Sequence, residues 1–207
     1  KSIRNIWNDK TDNSDYKVFK DYLRSIRFEI SSNLEKDGSK ILGITSLNAL
    51  EGKTFIAYSL AYAFAMTGKK ILLIADEQHV VKPNTKELSV SQNFETFLVK
   101  KEVHVEDLIT IMNKNTEKNS LLEIQNINNL KLGFDILKKE FDLIIIDVNS
   151  LQEMNIAKEW LMFTEKNVAI FESGHTINEN DKKYIHYIKE QPGFIGWVFN
   201  KFEALKS

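Results

Sequence analysis

Residues 41–54 read ILGITSLNALEGKT, and this stretch decides which fold the chain can adopt. Its first five residues form an apolar run without polar alternation, which is typical of a strand buried on both faces. Its last three residues, Gly52, Lys53 and Thr54, lead into the long apolar segment 55–66, which indicates a helix. A strand, a turn ending in Gly-Lys-Thr and a helix together form the setting of a phosphate-binding loop.

Each residue of this turn has a chemical reason to be there. Gly52 lets the backbone approach an anion, Lys53 can reach the β and γ phosphates, and the Thr54 hydroxyl can bind Mg²⁺. The positive end of the following helix adds to the attraction. The strict pattern requires glycine at position 47, where this chain has Leu47, so a helix start with a solvated lysine is the competing interpretation. The strand before the turn and the helix after it favour the phosphate loop.

The rest of the chain repeats the alternation of buried strands and helices. Strands that are apolar on both faces belong in a parallel sheet covered by helices on both sides. The pattern therefore predicts an α/β fold with a doubly wound, mostly parallel sheet. A further strand is predicted at 121–125. The other strand-like runs are 71–75, 143–147, 168–171 and 194–199, and the helical stretches are 16–32, 54–66, 94–101, 127–140, 151–163 and 178–190.

Composition limits the class of protein. The 207 residues carry 28 Lys and Arg against 29 Asp and Glu, so a net charge of −1 argues against nucleic acid as a partner. The chain contains no cysteine, which excludes disulfides and thiolate metal sites. We expect an N-terminal arm at 1–15 and a single P-loop NTPase-like domain at 16–207. Because the chain begins with Lys1 and not with Met, we also expect it to be part of a longer protein.

Five segments of the chain resemble motifs of the bacterial tyrosine kinases, the cytoplasmic partners of capsule and exopolysaccharide export. Residues 46–54 resemble the family's Ser-x-x-Pro-Gly-Glu-Gly-Lys-Ser/Thr loop, and residues 21–27 resemble its Glu-x-x-Arg-x-x-Arg segment, which assembles subunits into a ring. The other three segments are 71–77, similar to the second Walker strand ending in Asp-x-Asp, 141–147, similar to the Walker B strand, and 196–200, similar to the last strand with its adenine-contacting Asn.

The resemblance implies ATP and Mg²⁺ as cofactors and gives individual residues roles. Some of these residues also have simpler interpretations: Asp147 as the start of a loop, Asn200 as a turn residue, and Arg24 and Arg27 as a solvated helix surface. The implied roles are catalysis for Lys53, Asp147, Glu77 and Asp76, nucleotide binding for Glu51, Gly52, Lys53, Thr54 and Asn200, magnesium binding for Thr54 and Asp147, and a subunit interface for Asp21, Arg24 and Arg27.

The loop departs from the family pattern at two positions. Ala49 and Leu50 stand where the family has Pro and Gly. Leucine does not easily adopt the positive φ that glycine accepts, and we expect its side chain to occupy space near the phosphates.

The segments that resemble the second Walker strand and the Walker B strand also differ from the family pattern. Ala75 replaces the first Asp of the second Walker strand, Glu77 replaces the second, and His79 stands at the place of the following Arg. If the register shifted so that Asp76 became the working carboxylate, its side chain would point to the opposite face of the strand. Residues 148–150 replace the family's Thr-Pro-Pro. Because losing one group that stabilises transition-state charge costs about 3 kcal/mol, several such changes predict weak catalysis.

The sequence therefore favours a kinase-like domain of an exopolysaccharide or capsule regulator, with impaired or lost tyrosine-kinase activity and a role in assembly. The resemblance places it in the cytoplasm, at the inner face of the bacterial cell membrane. It implies a homo-oligomeric ring and a membrane-embedded polysaccharide co-polymerase as partner, in the same or another chain. An active ATP-dependent protein-tyrosine autokinase is the alternative. A partition or septum-positioning ATPase is a weaker one, because residues 47–50 lack the second lysine that such loops require.

Overall fold

Seven parallel strands form one sheet in the computed structural model, which describes residues 14–76, 92–102, 108–114 and 120–201. The order across the sheet is β3-β4-β2-β5-β1-β6-β7. The strands are β1 (Ile41–Ser46), β2 (Ile71–Ala75), β3 (Gln92–Asn93), β4 (Ile109–Asn113), β5 (Leu143–Asp147), β6 (Lys166–Glu172) and β7 (Phe194–Asn200).

Helices cover both faces of this sheet. On one face pack α1 (Ser14–Glu35) and α2 (Lys53–Ala65), against a buried layer that includes Leu73 and Ile145. The other face, which includes Ile74 and Ile146, packs against the remaining five helices. The doubly wound α/β fold predicted from the sequence is therefore confirmed. The five helices are α3 (Phe94–Lys100), α4 (Leu121–Ile124), α5 (Ile127–Glu140), α6 (Met154–Leu161) and α7 (Glu179–Lys189).

The three central strands are fully buried, which explains why their apolar sequence pattern predicted them. Every residue of β1, β2 and β5 is buried, so these strands carry apolar side chains on both faces. The strand β1 pairs with β5 in the register Ile44↔Asp147. The loop that follows β1 consequently lies next to the acidic end of β5.

Two sequence predictions need correction. The strand predicted at 121–125 is wrong, because Leu121–Ile124 forms a short helix whose N-cap, Ser120, accepts a hydrogen bond from the main chain of Leu122. The helix predicted at 151–163 is a 3₁₀ turn, Leu151–Glu153, followed by the shorter α6.

Residues 1–13 of the predicted arm lie outside the described residues, and α1 already begins at Ser14. Within the part of the chain that the structure describes, none of the helices has the length and apolar character needed to cross a membrane.

Candidate functional site

The loop after β1 adopts two left-handed backbone conformations. Gly52 has φ 85° and Leu50 has φ 65°, so Leu50 adopts a conformation that leucine does not easily take. The Leu50 side chain is 90% exposed and extends into solvent. The expectation that the Leu50 side chain would occupy space inside the loop was therefore wrong, whereas the positive φ remains unfavourable for leucine. The strain of a non-glycine residue in this region, of order 1 kcal/mol, is stored in the loop.

The loop is braced from inside by Glu51 and from outside by Asn200. The Glu51 side chain is buried, and its carboxylate accepts a hydrogen bond from the main-chain N–H of Asn48 over 2.9 Å. The side-chain amide of Asn200, at the end of β7, donates to the main-chain carbonyl of Glu51 over 2.8 Å. Of the residues predicted to bind nucleotide, these two therefore have a role in shaping the loop. The contact of Asn200 with adenine stays a prediction.

The structure brings Lys53, Thr54 and Asp147 together. The Lys53 ammonium pairs with Oδ1 of Asp147, and the Thr54 hydroxyl donates to Oδ2 over 2.7 Å. The Asp147 side chain is buried, which strengthens both interactions because water screens them little. The residues meet because α2 begins immediately after the loop while β5 ends beside β1. All three residues were assigned to catalysis or magnesium binding by sequence analysis, and those roles stay predictions.

Strand β2 has an uncharged residue at the position beside Asp147. Strands β2 and β5 pair in the register Ile74↔Ile146, so Ala75 is the residue that comes level with Asp147. Ala75 is buried in the same layer as α1 and α2. Asp76 follows β2, and its carboxylate lies near enough to influence the pKa of Tyr58 and of Lys114. Glu77 lies outside the described residues, so its predicted catalytic role stays a prediction.

Sequence analysis missed Lys114, which follows β4 and is 4% exposed. Its ammonium donates to the main-chain carbonyl of Asp147 over 2.9 Å and to the side-chain oxygen of Asn149, and it lies 5.2 Å from the centre of the Trp160 ring. Burial lowers the pKa of Lys114 to about 8, although the carboxylates of Asp76 and Asp147 oppose this shift. The side chain is therefore an ammonium at neutral pH.

A second unexpected group at this edge of the sheet is the Tyr58 hydroxyl. It is buried and has no hydrogen-bond partner among the residues that the structure describes. Burial raises the pKa of Tyr58, and the nearby carboxylates of Asp147 and Asp76 raise it further. Since buried hydroxyls are almost always hydrogen-bonded, this one has the capacity to bind a polar ligand beside Asp147.

The oxygen donors suit a magnesium ion that is held mostly by water and phosphate. Thr54 and Asp147 supply a hydroxyl and a carboxylate, which are the ligand types that Mg²⁺ prefers. A group of three or more His, Cys, Asp or Glu side chains able to hold a metal is absent from the described part of the chain. The site therefore fits a metal that arrives with a nucleotide and does not fit a metal caged by the protein.

The predicted interface residues on α1 divide into two kinds. Asp21 and Arg24 form an exposed ion pair with 2.7 Å between the charged atoms. Arg27 instead donates to the main-chain carbonyl of Ala63, near the end of α2, over 2.6 Å. Arg27 is thus engaged within its own chain, while Asp21 and Arg24 are exposed on its surface. The subunit interface itself stays a prediction.

Comparisons with known proteins give one family model that matches part of the chain and relatives that match most of it. The family model described as "Type III restriction enzyme, res subunit" matches residues 29–149, which hold the loop, α2 and the acidic end of β5. The chain is 28% identical over 189 residues to the tyrosine-protein kinase CpsD of Streptococcus pneumoniae, covering 82% of this chain and 79% of that protein.

Solved structures agree on the fold. The chimerical protein CapA2B2 superposes with a TM-score of 0.74 at 20% identity, covering 99% of this chain and 92% of the other. The kinase domain of the Escherichia coli tyrosine kinase ETK superposes with a TM-score of 0.70 at 16% identity, covering 91% of this chain and 79% of the other.

Proposed function

We propose that this chain, which belongs to the bacterial tyrosine kinase family, is a nucleotide-binding kinase-like domain of a capsule or exopolysaccharide regulator. Over residues 29–149 it also belongs to the family described as the type III restriction enzyme res subunit. Its phosphoryl transfer is slow or absent, and its main role is assembly. One observation carries this proposal: Lys53 and Thr54 meet Asp147, while the residue level with Asp147 on the next strand is Ala75.

The binding half of the proposal rests on the loop. Its main-chain N–H groups and the positive end of α2 attract an anion, and Lys53 and Thr54 stand at the first turn of that helix. When a nucleotide binds, the Lys53 ammonium leaves Asp147 for a phosphate oxygen, since a polyphosphate offers it the greater negative charge. Thr54 and Asp147 would hold Mg²⁺, which supplies positive charge at the transferring phosphate.

The catalytic half of the proposal rests on Ala75. A methyl group beside Asp147 can neither orient a metal-bound water nor accept a proton from a tyrosine hydroxyl. Asp76 lies one residue beyond the end of β2, and the residue level with Asp147 is Ala75. Losing one such group costs about 3 kcal/mol of transition-state stabilisation, or roughly a hundredfold in rate.

A direct experiment measures binding and transfer separately. Purified chain is incubated with labelled ATP and Mg²⁺, and bound nucleotide and phosphotyrosine are then quantified. We expect saturable nucleotide binding with little phosphotyrosine, and we expect the matched variant Ala75→Asp to form more of it. Absence of nucleotide binding would overturn the proposal. Abundant phosphotyrosine that disappears in Lys53→Met would support the alternative, an active autokinase.

The assembly role concerns the exposed face of α1. This face carries the Asp21–Arg24 pair together with the exposed side chains of Val18, Tyr22 and Phe28. Apolar side chains beside a charge pair are the composition of a polar-rimmed protein interface. We propose that copies of the chain associate through this face into a ring, at the inner side of the bacterial membrane and next to a polysaccharide co-polymerase.

The remaining candidate functions have less support. A partition or septum-positioning ATPase would need a lysine early in the loop, where this chain has residues 47–50 without one. The match to the restriction-enzyme family ends at residue 149, before α6, β6, α7 and β7. With a net charge of −1 there is also no basic surplus for nucleic acid, so we propose no action on DNA.

A further inference from the structure

The buried ammonium of Lys114 lies at the same edge of the sheet as the phosphate loop. Lys114 directly follows β4, and its main-chain N–H donates to the carbonyl of Ala75 over 2.9 Å. Strand β2 lies between β4 and β5, so the Lys114 side chain crosses the end of β2 to reach Asp147. The ammonium is therefore located where β2 and β5 end, on the side of the sheet where Trp160 packs, while Ala75 belongs to the buried layer on the other side.

The surroundings hold this ammonium in place. It donates to the Asp147 carbonyl and to the Asn149 side chain, and the Trp160 ring lies beneath it. The turn after β5 is fixed in its own right, because the Thr45 hydroxyl donates to the Asn149 carbonyl over 2.7 Å. A lysine with these partners cannot swing out to solvent without leaving buried acceptors unpaired. It is a fixed positive charge.

The balance of charge at this edge differs from that of a site built around a metal. A divalent cation is retained by carboxylates that face it, and a nearby ammonium repels it. Here Ala75 contributes no carboxylate, while Lys114 adds a positive charge. The carboxylates of Asp76, Asp147 and Glu153 thus already face the ammonium groups of Lys53 and Lys114 before any metal binds.

We propose that Lys114 is a resident cation of the nucleotide site, which supplies part of the charge that a divalent metal ion would otherwise bring to a bound polyphosphate. The inference rests on the proposed nucleotide binding and adds to it a weak dependence on Mg²⁺. A buried charge acts on a polyphosphate through protein of low polarity, so its effect reaches further than that of a surface lysine. The same charge lowers the affinity of the site for Mg²⁺.

The test titrates a fluorescent ATP analogue into the full chain at pH 7, once with Mg²⁺ and once with EDTA. For the unmodified chain we expect dissociation constants within about threefold of each other in the two buffers. Lys114→Met keeps the length of the side chain and removes its charge, and we expect it to bind about tenfold more weakly in EDTA than the unmodified chain. Addition of Mg²⁺ should restore most of that loss.

Two further variants separate charge from packing. Lys114→Gln keeps a hydrogen-bond donor without the charge and should behave like Lys114→Met. Lys40→Met is the matched control, because the Lys40 ammonium also donates to two main-chain carbonyls, those of Lys138 and Phe141, at the opposite end of β1. It should leave both dissociation constants unchanged. Thermal unfolding of each variant verifies that it is folded.

Each outcome decides between defined alternatives. If the unmodified chain binds only with Mg²⁺, or if the Lys114 variants and the unmodified chain respond equally to EDTA, Lys114 is a structural lysine and the inference is wrong. If both Lys114 variants fail to fold, the dissociation constants of the unmodified chain with Mg²⁺ and with EDTA still test the predicted weak dependence on Mg²⁺. A chain that binds the analogue in neither buffer would overturn the proposed function, and this inference with it.

Discussion

The side-chain amide of Asn200 donates to the main-chain carbonyl of Glu51 over 2.8 Å, so the end of β7 is attached to the loop that follows β1. Strand β6 lies between these two strands, and the contact therefore spans the width of three strands at one edge of the sheet. It fixes the residue before Gly52 and thereby the direction in which α2 starts. The shape of the loop depends on this contact as much as on its own sequence.

Gly52→Ala should destabilise the protein and distort the loop. Gly52 has φ 85°, and a Cβ atom there would overlap with Nδ2 of Asn200. We expect a loss of about 2 kcal/mol in the free energy of unfolding, measured by urea denaturation. Gly38→Ala is the matched control, since Gly38 has φ 71° with nothing within 4 Å of the added atom. It should lose about 1 kcal/mol, from backbone strain alone. Equal losses would argue against the Asn200 contact.

Leu50→Gly should stabilise the protein. The Leu50 side chain is almost fully exposed and its φ is 65°, so the substitution removes strain and gives up little packing. We expect a gain of about 0.5–1 kcal/mol, measured as an increase in the urea midpoint. Leu132→Gly tests the same change inside α5, where Leu132 is also exposed, and should lose about 1 kcal/mol. A loss of stability in Leu50→Gly would contradict the loop geometry.

Replacing each of the two arginines of α1 by alanine should have different effects on stability and on assembly. Because Arg27 donates to the Ala63 carbonyl, Arg27→Ala should lower the free energy of unfolding by about 1–2 kcal/mol. Arg24 forms an exposed ion pair with Asp21, and because exposed pairs contribute little, Arg24→Ala should change stability by less than about 0.5 kcal/mol. Size-exclusion chromatography should show that Arg24→Ala reduces the apparent mass of an oligomeric parent. An unchanged elution volume would speak against an interface at α1.

Asp181 should make stability sensitive to acid. Burial alone would raise the pKa of Asp181, but hydrogen bonds from the Asn178 main chain and from His175 outweigh it and hold the pKa below its ordinary value of 3.8. A lowered pKa in the folded state means that the ionised form stabilises the fold above about pH 4, and that this stabilisation disappears as the pH falls further. In urea denaturation, Asp181→Asn should therefore lose about 1 kcal/mol at pH 7 and show a shallower decline below pH 4.

The control for this prediction is Glu179→Gln. Glu179 occupies the first turn of the same helix, α7, and its side chain is 84% exposed. Its replacement should leave the acid branch of the stability curve as it is in the unmodified protein. If Asp181→Asn and the unmodified protein decline in parallel below pH 4, the carboxylate of Asp181 is not the group responsible.

The sequence predicted those parts of the fold in which burial dictates composition. Strands β2 and β5 were predicted with the bounds that they have, because a strand covered on both faces must be apolar throughout. Lys53 and Thr54 were singled out by the phosphate-loop pattern and Asp147 by the resemblance of residues 141–147 to the Walker B strand, whereas the pairing of β1 with β5 that brings them together is seen only in the structure. Where burial is partial, the pattern is weaker. Residues 121–124 are a short apolar run, and periodicity cannot distinguish a strand from one turn of helix over four residues.

Lys114 and Leu50 could not be interpreted correctly for a different physical reason. Lys114 follows β4, a strand with two half-buried residues that was not recognised, so nothing located its ammonium near Asp147. A lysine is also expected at the surface unless a partner is known. For Leu50, the intrinsic preference against a positive φ is real, but the fixed ends of the loop outweigh it. Both are tertiary effects, which local sequence does not contain.

Calorimetric titration of ATP into the unmodified chain and into Lys53→Met tests the central claim most directly, because Lys53 is the residue through which the loop is expected to hold phosphate. The account predicts saturable binding by the unmodified chain and at least about tenfold weaker binding by the variant, both folded as judged by thermal unfolding. Equal affinities, or no binding by the unmodified chain, would contradict it.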